Sequence, residues 1–163
     1  MLSKKLLDAL NEQIRKELHS AYVYLGIAAY LEAENLPGMA KWMRVQSEEE
    51  VGHAMKIFDF VLERGATVKL ETVDAVPTQY ESPAAAFQAA LEHERKITAS
   101  INALYELALA EKDYPTQLML QWFIEEQVEE EDNVGRAADM VAKAQGHPPI
   151  LLMVDHQLGS REE

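Results

Sequence analysis

Glu50 and His53 stand three positions apart in a strongly helical stretch that runs from Met39 to Arg64. On an α-helix they share one face, about one turn apart. Met43, Gln46, Ile57 and Phe60 extend the same face at 3-4-3-4-3 spacing, the seam of a helix that looks into a bundle core. A carboxylate and an imidazole therefore occupy positions where leucines are expected. Burying either without a partner is costly. A divalent cation is a natural partner for both.

Three further helical seams carry polar groups at mid-length. The first reads Leu10, Ile14, Glu17, Ala21, Tyr24, Ala28, Leu31, and the third reads Phe87, Leu91, Glu94, Thr98, Ile101, Tyr105, Ala108. The fourth reads Leu120, Phe123, Gln127, Glu130, Val134, Ala137, Val141. Positions 17 and 94, 50 and 127, and 53 and 130 are each 77 apart, which suggests two related hairpins meeting about a pseudo-twofold axis. Antiparallel packing brings all six polar groups to one level. Four carboxylates there would repel one another and resist ionisation, at several kcal/mol each, and two divalent cations would offset their charge. Carboxylate with imidazole suits iron or manganese, with zinc also compatible. Glu50 and Glu130 face each other and are the natural bridges between metals ~3.5–4 Å apart. The competing reading is a set of salt-bridged core residues, and six polar groups spread over four helices argue against it.

The elements that must position these groups follow from periodicity and breakers. The spacing predicts one all-α domain over residues 1–163, with helices over about 5–34, 39–64, 84–112 and 115–145 and a short one over about 149–158. Asn35-Leu36-Pro37-Gly38 and Asp113-Tyr114-Pro115 read as short turns, and Ser82-Pro83 as a helix start. Residues 66–82 form a long connection in which Val68, Leu70 and Val73 alternate as in an extended strand. At ~3.4 Å per residue it reaches at most ~58 Å, more than the ~40 Å of a 27-residue helix. It can cross the whole bundle and make the second and third helices parallel, which is the ferritin-like four-helix topology with one long crossover.

Composition narrows the function classes. With 28 acidic and 15 basic residues the formal charge is -13, so cations are natural partners and nucleic acid is not. The absence of cysteine excludes disulfides, thiolate catalysis and Cys-based metal sites, and is compatible with a cytoplasmic location. Met1-Leu2-Ser3-Lys4-Lys5 leads straight into an amphipathic helix, and no apolar run approaches the ~20 residues of a membrane span. The expectation is a soluble cytoplasmic protein that does not insert into a membrane.

Glu17, Glu50-x-x-His53, Glu94 and Gln127-x-x-Glu130 together resemble the dinuclear ferroxidase centre of the non-haem bacterial and archaeal ferritins. The resemblance covers essentially the whole chain, including the crossover and the fifth helix. It implies a cage of about twenty-four subunits that oxidises Fe(II) with dioxygen or hydrogen peroxide and stores the ferric mineral inside. By the same resemblance Glu17, Glu50 and His53 hold the first iron. Glu94 and Glu130 hold the second, with Glu50 bridging and Gln127 close by. Tyr24 matches the family's tyrosine beside the centre, although a core tyrosine with a satisfied hydroxyl would look the same in sequence. Glu49, Glu126 and Glu129, with Glu130, match a third iron site, where the alternative is a solvated acidic face. His19, His93 and His147 lack partners at ligand spacing and read as surface residues.

Departures from related patterns sharpen the expectation. A bacterioferritin-like centre would carry a second Glu-x-x-His, and Gly52 stands at the haem-methionine position, so no haem is expected. Rubrerythrin-like proteins usually carry a Cys-rich module, which is absent here. Mini-ferritins build their centre between subunits, whereas this one chain supplies every ligand. The apolar tail from Pro149 to Leu158 either packs on its own bundle or, as the resemblance implies, lines the cage's fourfold axes. A non-storing di-metal protein that scavenges peroxide is the alternative function class.

Overall fold

The first turns of the helices are secured in different ways. Ser3 and Ser82 accept hydrogen bonds from the backbone N–H groups of Leu6 and Ala85, both at 3.1 Å, and Asp113 caps Thr116 in the same way. In the computed structural model, which describes residues 1–161, these caps open α1 (Lys4–Ala33), α3 (Pro83–Ala110) and α4 (Tyr114–Ala144). The remaining helices are α2 (Pro37–Glu63) and α5 (Pro148–Gly159). Pro37 and Gly38 lie inside the first turn of α2 rather than in the preceding turn, because proline needs no N–H partner there. Asn35 makes the reversal in the left-handed region, at φ 59. At the far end of α3, Lys112 at φ 54 ends the helix two residues earlier than periodicity suggests.

The hairpins α1–α2 and α3–α4 pack into a bundle. Gln13 meets Ser100 and Tyr24 meets Glu94, so α1 and α3 run antiparallel, and α2 and α3 are therefore parallel. The crossover makes this possible by climbing the side of α1. Its Lys69 N–H donates to Asn11 Oδ1 at 2.9 Å, and Tyr80 meets Tyr30 edge-on at 5.4 Å between ring centroids. Midway it presses on Gly26, where an added Cβ would lie 2.4 Å from the Pro77 carbonyl oxygen. The expected strand alternation is not what anchors this segment. No strand occurs among the described residues, and Leu70 is exposed. Val68, Val76 and Tyr80 are the side chains that pack on the core.

The bundle interior divides into two apolar clusters. One, with Leu31, Met39, Phe87, Val134 and Leu158, fills the end near α5. The other, with Leu10, Ile57, Ile101, Leu120 and Phe123, fills the opposite end. There Arg64 at the end of α2 grips Asp113 with two hydrogen bonds of 2.7 and 2.8 Å. This holds the Asp113 carboxyl well below the usual carboxylate range. The helix α5 lies across the first end, where Asp155 Oδ1 accepts from the Met39 N–H at 2.8 Å and so caps α2, which has no local side-chain cap. Its Val154 and Leu158 are buried, while Ile150, Leu152 and Met153 remain exposed. One face of α5 thus packs on its own bundle and the opposite face is exposed.

Candidate metal centre

Between the two apolar clusters lies a polar layer. Glu17 from α1, Glu50 and His53 from α2, Glu94 from α3 and Gln127 and Glu130 from α4 are all buried. The seam spacing puts each at mid-helix, and antiparallel packing brings them to one height. Among the described residues, ligand atoms of Glu17, Glu50 and His53 lie within 4.8 Å of one another, as do those of Glu50, Glu94 and Glu130. Glu50 belongs to both groups. A third group, His53, Glu126 and Glu130, adjoins them.

The hydrogen bonding is uneven. Gln13 Nε2 donates to Glu17 Oε1 at 2.8 Å, yet Glu17 Oε2, both Glu50 oxygens and His53 Nδ1 have no hydrogen-bond partner. His53 Nδ1 stands 3.6 Å from Glu50 Oε2, and its Nε2 stands 3.7 Å from Glu126. On the other side Tyr24 Oη donates to Glu94 Oε1, and Gln127 Nε2 reaches Glu94 Oε2 at 3.2 Å. Gln46 Nε2 donates to Glu130 Oε2 at 2.7 Å. A set of buried, partnerless acceptors in one place is costly, at roughly 1–3 kcal/mol for each group and more when charged. Such a set is what a cation would satisfy.

Electrostatics agree. Burial pushes Glu17 up to about 7 and Glu130 up to about 8, and in both the neighbouring Glu94 adds to the rise. Glu50 is raised well above its ordinary value by burial and by the carboxylates around it. Burial, aided by Lys56, lowers His53 to about 4, so its imidazole is neutral at pH 7 and free to act as a ligand. Without cations the layer keeps protons; with them it would release them.

The other expected residues fall around this layer. Glu49 is half-buried, and Arg161 grips it through both oxygens at 2.8 Å. Glu129 is exposed and belongs to none of the three groups. The histidines need correction. Burial lowers His93 to about 4; its Nε2 is 2.7 Å from Ser20 Oγ, and its ring lies 5.9 Å from that of His19. Both are interface residues between α1 and α3, whereas His147 is exposed. Gln13 was not foreseen, although its i, i+4 relation to Glu17 was a usable signal. Ser100, which donates to Gln13 Oε1 at 2.6 Å, had no signal, because its partner lies on another helix.

A family model described as a ferritin-like domain matches residues 7–143. Over 161 residues the chain is 42% identical to a bacterial non-heme ferritin of Bacteroides fragilis, covering 99% of this chain and 100% of that one. The chain belongs to the non-haem ferritin family. A second non-heme ferritin, from Staphylococcus epidermidis, is 37% identical, with coverage of 99% and 97%. The fold matches a novel open pore ferritin from the hyperthermophilic archaeon Archaeoglobus fulgidus with a TM-score of 0.97 and 44% identity, covering 99% of this chain and 100% of that one. The ferritin fold thus accounts for the crossover and for α5.

Proposed function

We propose that this protein stores and detoxifies iron, oxidising Fe(II) at the polar layer and keeping the ferric product inside an oligomeric cage. One observation carries the catalytic part: four buried ligand atoms on Glu17, Glu50 and His53 converge without hydrogen-bond partners. Iron enters as substrate. Glu17, Glu50 and His53 take the first Fe(II), Glu94 and Glu130 take the second, and Glu50 bridges. Gln127 borders the second position, and Tyr24 orients Glu94 through its hydroxyl. Each iron gives one electron. Together they supply the two electrons that reduce dioxygen to hydrogen peroxide, or hydrogen peroxide to water.

The chain's own groups tune these steps. Neutral His53 offers a nitrogen lone pair without competing protonation near pH 7. The carboxyls release their protons as the cations arrive, and the burial of the layer strengthens every charge interaction within it. Glu126 and Glu130, beside His53, offer a third, more exposed cation position, with Glu49 and Glu129 at its margin. The exposed apolar face of α5 is available for contacts between subunits. With no methionine at position 52, the ferritin binds no haem there. It works in the cytoplasm, and no helix of the described residues is long and apolar enough to cross a membrane.

Aerobic addition of Fe(II) followed by gel filtration tests this reading. The expected outcome is a species near 440 kDa, about twenty-four copies of an 18.4 kDa chain, that retains hundreds of irons per particle. A small oligomer that holds about two irons per chain would overturn storage and leave a peroxide-consuming di-metal protein in its place.

A further inference from the structure

Arg161, beyond the end of α5, lies far along the chain from the polar layer and yet is wired to it. Its guanidinium grips the Glu49 carboxylate with two 2.8 Å hydrogen bonds and stacks over the Trp42 ring, 5.1 Å from the centroid. It also donates to Gln46 Oε1 through Nη1. Gln46 is fully buried, and its other end donates to Glu130 Oε2 at 2.7 Å. The direction of this relay is forced. Arginine can only donate, so it fixes the amide oxygen of Gln46 toward itself and turns the NH2 toward Glu130. Arg161 therefore does more than tether the tail.

We propose that Arg161 is a positioning residue of the centre: it locks the Gln46 amide so that its NH2 faces Glu130 and keeps that carboxyl aimed at the second metal position. The inference rests on the reading of Glu130 as a metal ligand. Without Arg161 the amide is free to turn, and Glu130 Oε2 loses the donor that fixes its direction. Outer partners of this kind typically change metal affinity by roughly 10–100-fold.

The test uses Co(II) as probe with the assembled, iron-free protein, following the visible absorption of bound cobalt as two equivalents per chain are added. In R161A the second equivalent should bind about tenfold more weakly, while the first, at Glu17, Glu50 and His53, is unchanged. Q46L should show the same selective loss, and the double variant should be no worse than either single one, since both break one relay. R161K keeps the charge but not the two-pronged geometry, and should recover only part of the loss. If R161A lowers the melting temperature but leaves both equivalents and their spectrum as in the wild type, Arg161 is a tail clamp and the proposal fails. Tighter or additional cobalt binding in R161A would equally overturn it, since Arg161 would then be a competitor for Glu49. If the wild type binds no Co(II) at all, the reading of the centre itself falls, and this inference with it.

Discussion

The two halves of the centre repeat at a constant offset of 77 residues, but the first leaves four buried ligand atoms without a hydrogen-bond partner and the second leaves none among the described residues. Glu50, whose two oxygens have no partner, corresponds to Gln127, whose amide donates to Glu94. One exchange of acid for amide separates a half with partnerless oxygens from a half whose oxygens receive protein donors. Tyr24 and Gln46 widen the gap, since both spend their donors on Glu94 and Glu130. The lesson is that metal demand is set by who donates, not by how many carboxylates are present. The first half holds the partnerless atoms, and those are the ones a cation would satisfy.

The strongest way to break the comparison is to erase the asymmetry. Q127E removes the donor from Glu94 and adds a buried acid, and should destabilise the metal-free protein by about 3 kcal/mol, the range for an uncompensated buried charge. Thermal unfolding with and without Co(II) measures this; equal stability of variant and wild type would mean that the second half is not held by Gln127. Removing the nitrogen ligand is next. H53A should slow Fe(II) oxidation about a hundredfold, at the upper end for groups that support a metal site, as followed by stopped-flow absorbance. A rate within twofold of wild type would remove His53 from the centre.

A paired substitution sharpens the contrast through its sign. E50Q replaces an acid whose ionisation burial and its neighbours oppose with a neutral amide and should stabilise the metal-free protein by about 1 kcal/mol, while E94Q turns an amide nitrogen toward a donor and should cost about the same. Gains in both, or losses in both, would mean that the halves do not differ.

The smallest effect is on pH. In the folded state Glu17 titrates at about 7 and Glu130 at about 8, both above the ordinary 4.5, so the folded chain holds extra protons between those values. Metal-free stability should therefore fall as pH rises from about 4.5 through 8. His53, lowered to about 4 from 6.5, acts in the opposite sense: its contribution is lost as pH falls from 6.5 toward 4. Saturating Co(II) should reverse the slope on the alkaline side, because bound metal replaces the protons. Melting curves from pH 5 to 8.5 decide it.

Much of this was legible in the chain. Every carboxylate of the layer, and His53, breaks an otherwise apolar seam at mid-helix, so period alone puts them inside and at one height. The four-helix topology followed from the length of the crossover. Less legible were groups whose meaning depends on another helix. His93 looked like a surface histidine, because nothing in its own helix announces Ser20 and His19 across the interface. Gln46 sat on the seam without a role, since both of its partners, Glu130 and Arg161, lie more than eighty residues away. The third-site carboxylates divide for the same reason: Arg161 holds Glu49, Glu126 turns toward His53, and Glu129 is exposed.

Sequence by itself determined where Glu50 and His53 point, because helical period and burial leave a mid-seam side chain no other direction. It also determined that their cost had to be met by something brought from the other helices. Only the tertiary structure decided which oxygens receive a protein donor and which are left without one. Hydrogen bonds are short and directional, and the donors that matter here — Tyr24, Gln46 and Gln127 — reach their acceptors across helix interfaces that no local pattern encodes.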